Sequence, residues 1–399
     1  MTSKTLASIL LLVTPSLNLT AAGLDSWERV TVSASGQKIF GVATGDGWWA
    51  AITEDNSPNG HVLRSRDGRT WESWKVPHET STTRGVDLYD VAVGDGRIIA
   101  VGRQLSANKS VIANWPLDAA AGAKPKYYST SARLLGVVFA QGQFTASGDK
   151  GALFSVAADG TATPLATVSS TDSLRAVAFG GHPGRYAAFE LQASQVWVSD
   201  DRTEWTPATI PGGQVTWVDI AHVGDRFVAV GNIGTASNGV IAWSLDGLHW
   251  ERRDPSGYTS LTSVGGGVGQ FFVSKGGSSA AGLWRGADIG NLKSVSLPGI
   301  TPVTDIAYNG FQFLAVGADG AGWLSGEIHG FDYARLRPRD EPVRFDFVAA
   351  HGRRHRLEKS SNLRDWELLL DDVGQGNLIQ FEHPARHPDH EYYRMTVLP

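Results

Sequence analysis

The sequence predicts an all-β protein: a seven-bladed β-propeller followed by a small C-terminal β-sandwich. Three observations predict it. Gly supplies 47 of 399 residues and Trp 14, against 2 Met, a composition suited to short strands and tight turns. An apolar strand, a Gly-rich turn and a second strand opening on Arg or Gln recur around Val42, Val91, Val137, Val177, Val218, Val264 and Ile306. At about 40–50 residues and four strand-like runs each, these repeats have the size of propeller blades. The third observation is a turn device. Ser65, Asp67, Gly68 and Trp71 return at the same spacing as Ser199, Asp201 and Trp205, and as Ser244, Asp246, Gly247 and Trp250. Ser and Asp can bond the local backbone, Gly supplies a positive φ, and Trp pins the outgoing strand.

Taken in order, residues 1–22 read as a signal peptide: Lys4, an apolar run from Leu6 to Val13, then small residues at Ala21-Ala22. That run is too short to span a bilayer. The mature chain is expected in the periplasm or outside the cell, as a monomer without a transmembrane segment. It has no Cys, so neither disulfides nor thiolate metal sites are available. Net charge is −5, and no basic stripe suggests nucleic acid.

Residues 24–334 form the propeller. Trp27–Val32 reads as a fourth strand with no blade before it and is expected to close the last blade. Phe331–Leu336 competes for that edge. Composition shifts at Arg335-Leu-Arg-Pro-Arg339, and residues 338–399 carry five or six short strands, the sandwich.

The Ser–Asp–Trp turns resemble the Asp-box, or bacterial neuraminidase (BNR) repeat, of sialidase-like propellers. This resemblance implies capped hairpins at the blade rims, so Ser65, Asp67, Ser199, Asp201, Ser244 and Asp246 are read as structural. It also implies that the fold can serve as a binding platform, as in Asp-box propellers that assist photosystem assembly and in sortilin-type receptors. Sialidase chemistry itself is not expected. The family's aromatic-Arg-Ile-Pro motif is absent, and the Arg-Ile present, Arg97-Ile98, lies inside a second strand. The tail, with Ser360-Ser-Asn362-Leu-Arg-Asp-Trp366 and Tyr392-Tyr-Arg394-Met, resembles a C-terminal module of secreted verrucomicrobial proteins. It departs from that module's pattern at Lys359 and Asn362.

Propeller sites lie at the channel mouth, near the starts of the innermost strands. The candidates there are Asp87, Asp90, Arg133, Asp172, Arg175, Trp217, Asp219, His222 and Asp305. A pair such as Asp90 with Asp305 could do acid–base work at the right separation, but no spacing marks a pair. No catalytic residue, cofactor or metal site is assigned. His383, His387 and His390 sit among prolines and read as a solvated loop. The expected function is non-catalytic binding of a glycan or a protein partner. The alternative is a secreted glycoside hydrolase or polysaccharide lyase acting at the channel mouth.

Overall fold

The computed structural model describes residues 8–11, 22–34, 37–54, 60–78, 85–105, 109–119, 126–128, 132–168, 171–181, 184–234, 238–255, 258–276, 282–299, 302–328, 333–335, 343–361, 364–383 and 392–398. Among these, helix is confined to three short 3-10 turns. Seven four-stranded antiparallel sheets follow one another, here called sheets 1 to 7. Their first strands are Lys38–Gly45, Val86–Gly94, Leu134–Ala140, Leu174–Gly180, Thr216–Val223, Leu261–Gly267 and Val303–Tyr308.

Each sheet buries both faces. One apolar cluster fills each junction between consecutive sheets: Ile52 and Val62 against Leu88 and Ile98 between sheets 1 and 2, for example. Another joins Leu314 and Leu324 of sheet 7 to Ile39 and Trp49 of sheet 1. The first strands thus pack in a circle, with that of sheet 7 against that of sheet 1. Sheet 7 takes three strands from Val303–Tyr308, Phe313–Gly317 and Ala321–Ser325, and its fourth is Trp27–Thr31. The two ends of the ring therefore share one sheet, and strand pairing closes the seam.

Close approach near the axis fixes some glycines. A Cβ on Gly94 would collide with the Phe139 ring of sheet 3, and one on Gly180 with the His222 ring of sheet 5. Ring side chains of one sheet fill the hollow that the preceding sheet's glycine leaves.

The three Ser–Asp–Trp turns share one geometry. Ser65, Ser199 and Ser244 each accept a backbone N–H three residues on, from Gly68 (2.9 Å), Arg202 (2.7 Å) and Gly247 (2.8 Å). The following Asp accepts two more: Asp246, for example, takes those of Leu248 and His249, both at 2.8 Å. The Trp indole then donates to the carbonyl of the fourth residue, Gly68, Arg202 or Gly247. That fourth residue has φ of 71°, 71° and 74°, which explains Gly in two copies. Burial pushes the Asp67 carboxyl up, but the N–H groups of Thr70 and Arg69 and the Ser65 hydroxyl outweigh it and hold its pKa at about 2. Replacing Asp246 by Ala is expected to cost about 1–2 kcal/mol, read as a lower urea midpoint, because two backbone donors lose their acceptor.

The C-terminal segment forms two small sheets. Val343–Val348 lies between Tyr333–Arg335 and Leu378–His383, and Arg354–Ser360 lies between Glu367–Val373 and Tyr392–Leu398. Phe345, Phe347, Leu357, Tyr393 and Met395 fill the space between them. Tyr333–Arg335 thus pairs with the tail rather than with sheet 7. Glu358 forms a two-pronged pair with Arg394 (2.7 and 3.1 Å), whose guanidinium lies 4.1 Å from the Trp366 ring. The tail packs on the end of the ring that carries the first-to-second-strand turns. Val348 and Ala350 back onto Gly310, and the His351 ring sits on Gly47. Arg353 lies over Phe311 and pairs with Glu327 at 3.5 Å.

Of the proposed leader, the backbone of Ser8–Leu11 is described, as a strand beside Tyr392–Leu398; the rest of 1–21 lies outside the described residues. Asn362, His387 and His390 also lie outside them. No helix is long and apolar enough to cross a membrane among the described residues.

Candidate channel site

Every first strand carries a β-bulge at the same place. The register with the second strand slips between Ile39 and Gly41, Leu88 and Asp90, Leu134 and Gly136, Leu174 and Ala176, Trp217 and Asp219, Leu261 and Ser263, and Val303 and Asp305. A bulge leaves one residue unpaired and re-aims its side chain. Here the extra residues are Phe40, Tyr89, Leu135, Arg175, Val218, Thr262 and Thr304, and all seven line one cavity of about 130 Å3 on the ring axis. The bulges also correct the strand centre in sheet 5. Ile220 pairs with Ala229, as Val91 does with Ala100, so Ile220 is the central residue and Val218 faces the channel.

Of the nine candidate residues, the cavity brings four together: Asp90, Arg175, Asp219 and Asp305. The three acids hold equivalent positions, each just after the bulged residue. Each carboxylate spans a junction between sheets. Asp90 accepts the N–H of Val91 and, with its second oxygen, that of Val137 in sheet 3, both at 2.8 Å. Asp219 does the same with Ile220 (2.8 Å) and Val264 of sheet 6 (2.9 Å). Asp305 does it with Ile306 and with Val42 of sheet 1, both at 2.8 Å. The Ser263 hydroxyl lies 2.9 Å from Asp219 and 2.6 Å from Asp305. Arg175 donates to the Leu135 carbonyl at 3.1 Å, and Lys38 lies over the Phe40 ring at 5.2 Å.

Burial is the main influence on the three acids, and it opposes their ionisation. It pushes Asp90 up to about 7 against the N–H groups of Val137 and Val91. It pushes Asp305 up to about 8, with the negative charge of Asp219 adding to it. Burial also raises Asp219, opposed by the Val264 N–H and the Ser263 hydroxyl.

On Asp90 and Asp305 the folded protein thus holds protons that the unfolded chain releases near pH 4, so their contribution to stability is present below that pH and lost as pH rises through about 7–8. His222 acts in the opposite sense over a lower window. Burial pulls it down to about 4, so its contribution is lost as pH falls from about 6.5 to 4. The urea midpoint is therefore expected to fall between pH 6.5 and 8, and Asp305→Asn is expected to flatten that slope. An equal slope in the variant would assign the effect elsewhere.

The other five candidates lie outside the cavity. Trp217 is 1% exposed, stacks on Phe189 at 5.3 Å and donates to the Ala193 carbonyl. It stands one residue before the bulge, so its indole turns into the junction between sheets 4 and 5. His222 lies four residues past the bulged Val218, toward the turn end, edge-on to Phe227. Asp87 pairs with Arg103 at 2.8 Å. Arg133 forks onto Asp149, which also accepts from Ser173 of sheet 4 at 2.9 Å. Asp172 accepts the N–H groups of Ser173 and Gln192. The sequence reading missed Lys38, Phe40, Tyr89 and the Ser263 bridge. Their common signal is a position one to four residues before the repeat centre, visible once the bulge is counted.

No group of three His, Asp or Glu stands ready to hold a metal ion among the described residues.

No protein-family model matches the sequence, and no curated protein matches it. Solved structures do. A catalytically inactive virginiamycin B lyase from Staphylococcus aureus, with quinupristin, is similar at a TM-score of 0.62 and 10% identity, over 75% of this chain and 99% of that one. The selenomethionine form of that lyase is similar at 0.58 and 10%, over 75% and 99%. BamB from Moraxella catarrhalis is similar at 0.49 and 14%, over 80% and 100%. The chain has the fold of a β-propeller. At these identities the likeness is one of fold alone.

Proposed function

We propose that the chain is a seven-bladed propeller of the Asp-box type, exported to the periplasm or beyond the cell, that serves as a non-catalytic binding platform with its site at the channel mouth. One observation carries this reading. Each channel carboxylate has both oxygens engaged by backbone N–H groups of its own sheet and the next, so the acids hold the ring together and offer a fixed polar wall. Beside them Tyr89, Phe40 and Arg175 present aromatic faces and a guanidinium. Such a mixture of flat apolar and polar groups suits a glycan end or a short protein segment. The sandwich, covering the opposite end, leaves the bulge end as the way in.

A second reading, a secreted glycoside hydrolase or lyase, is favoured by the Ser263 hydroxyl between two acids with raised pKa values. A thermal-shift panel of oligosaccharides and peptides separates the two. A ligand at a hundred times its Kd is expected to stabilise by ~2.7 kcal/mol, without product on chromatography, and Tyr89→Ala is expected to abolish the shift. Product release would move the assignment to the second reading. A shift that survives Tyr89→Ala would place the site elsewhere.

A further inference from the structure

We propose that Asp219, Ser263 and Asp305 hold one proton between them at neutral pH, and that the channel mouth, neutralised by it, takes an uncharged, hydroxyl-rich ligand in preference to an anion. The ligand class rests on the binding reading above; the shared proton does not. The argument begins with a count of hydrogens. Ser263 has one hydroxyl proton, yet its oxygen contacts carboxylate oxygens of both Asp219 and Asp305, at 2.9 and 2.6 Å. With both acids ionised, one of these contacts would set lone pairs against lone pairs. A proton on one acid removes the conflict: Asp305 donates to the Ser263 oxygen, and Ser263 donates to Asp219. The shorter contact lies on the Asp305 side, as a strong O–H···O bond requires. Burial acts in the same sense, since it raises both acids and Asp305 to about 8.

The charge around the pair follows. The charged and titratable groups lining the cavity are Lys38, Tyr89, Asp90, Arg175, Asp219 and Asp305, drawn from the first strands of sheets 1, 2, 4, 5 and 7. Lys38 and Arg175 contribute two positive charges. With one proton on the pair, Asp219 and Asp305 carry one negative charge between them, and Asp90, held up to about 7, carries part of another, so the cavity keeps little net charge of either sign. An anionic ligand there meets the carboxylates with less than one surplus cation. A sugar hydroxyl can both donate to a carboxylate and accept from Arg175.

Infrared difference spectroscopy of the whole chain tests the proton. Asp90→Asn removes the third acid, and in that variant a carboxylic-acid carbonyl band is expected at neutral pH. Asp305→Asn is expected to abolish it. Ser263→Ala, which keeps both acids, is expected to shift it, and serves if Asp305→Asn fails to fold. Absence of the band in Asp90→Asn overturns the shared proton whether or not any ligand binds. For the ligand class, calorimetry compares a neutral hexasaccharide with a uronic-acid hexasaccharide. The uronate is expected to bind at least ~10-fold more weakly, and the neutral sugar to lose about 10-fold near pH 9, where the pair has released its proton. Equal binding of the two overturns the ligand class. A proton without any sugar binding overturns the ligand class and leaves the shared proton standing, and the proposed function falls with it only if the peptides of the thermal-shift panel also leave the melting curve unmoved.

Discussion

Deleting residues 24–33 is expected to lower the melting temperature by on the order of 10 °C, far more than a terminal trim usually does. Trp27–Thr31 is the fourth strand of sheet 7, in register with Ala321–Ser325 from Trp27 opposite Ser325 to Thr31 opposite Ala321. Its loss opens that strand's edge to water. It also strips two junctions. Leu24 belongs to the cluster between sheets 6 and 7, and Val30 and Val32 to the one between sheets 7 and 1. These three side chains are 1%, 8% and 2% exposed. At ~1.5–3 kcal/mol for each buried aliphatic side chain, about 6 kcal/mol is at stake before backbone hydrogen bonds are counted. In a domain of this size each kcal/mol moves the melting temperature by roughly 2 °C. Scanning calorimetry of the deletion against the parent chain measures it. The freed edge should also promote self-association, visible by size exclusion. An unchanged melting temperature would mean that the ring does not depend on this strand.

Much of this ring was legible in the sequence because repetition multiplies weak signals. One run such as Arg226-Phe-Val-Ala-Val-Gly could be any buried strand; several like it at a steady spacing read as units of one array. The Ser–Asp–Trp turns were legible for another reason. Their bonds join residues two or three apart, so sequence spacing is itself the geometry. The channel site is not local in that sense. Asp305 meets Val42, 263 residues away, and no spacing announces that bond. The bulge hid the rest. It inserts one residue into each first strand, so strict alternation misassigns which side chains face the axis, as it did for Trp217 and Val218. The same slip concealed that Asp90, Asp219 and Asp305 occupy one repeated position. His222 was grouped with them because it shares a strand with Asp219, although two more pleats carry it toward the other end of the channel.

Arg64 is the second place where a single change is expected to cost much, and nothing in its surroundings along the chain marks it. It is the fourth residue of the third strand of sheet 1, His61–Ser65, where alternation suggests an ordinary side chain. Its side chain is 2% exposed. All five of its N–H groups are engaged: two on Glu72, at 3.0 and 2.8 Å, and three on the carbonyls of Pro116, Leu117 and Ala119, at the end of the third strand of sheet 2 and just past it, at 3.1, 3.2 and 2.7 Å. Its flat faces lie 4.4 Å from the Trp115 ring and 5.0 Å from that of Trp48. The residue thus bolts sheet 1 to sheet 2 from inside. Glu72 is 46% exposed, so removing Arg64 leaves that carboxylate free to turn to water and strands little charge. The cost falls on the three carbonyls, which lose their donors, and on the two indoles, which lose their cation. Arg64→Met is expected to destabilise by about 3–5 kcal/mol. Arg64→Lys should recover only a minor part, because one ammonium cannot reach acceptors on both edges of the guanidinium plane. Glu72→Gln, which removes only the half-exposed partner, should cost at most ~1 kcal/mol. Urea unfolding of the three variants orders them. If Arg64→Met fell within ~1 kcal/mol of the parent, the junction would be held by its apolar cluster alone, and the guanidinium would be filling space rather than joining the sheets.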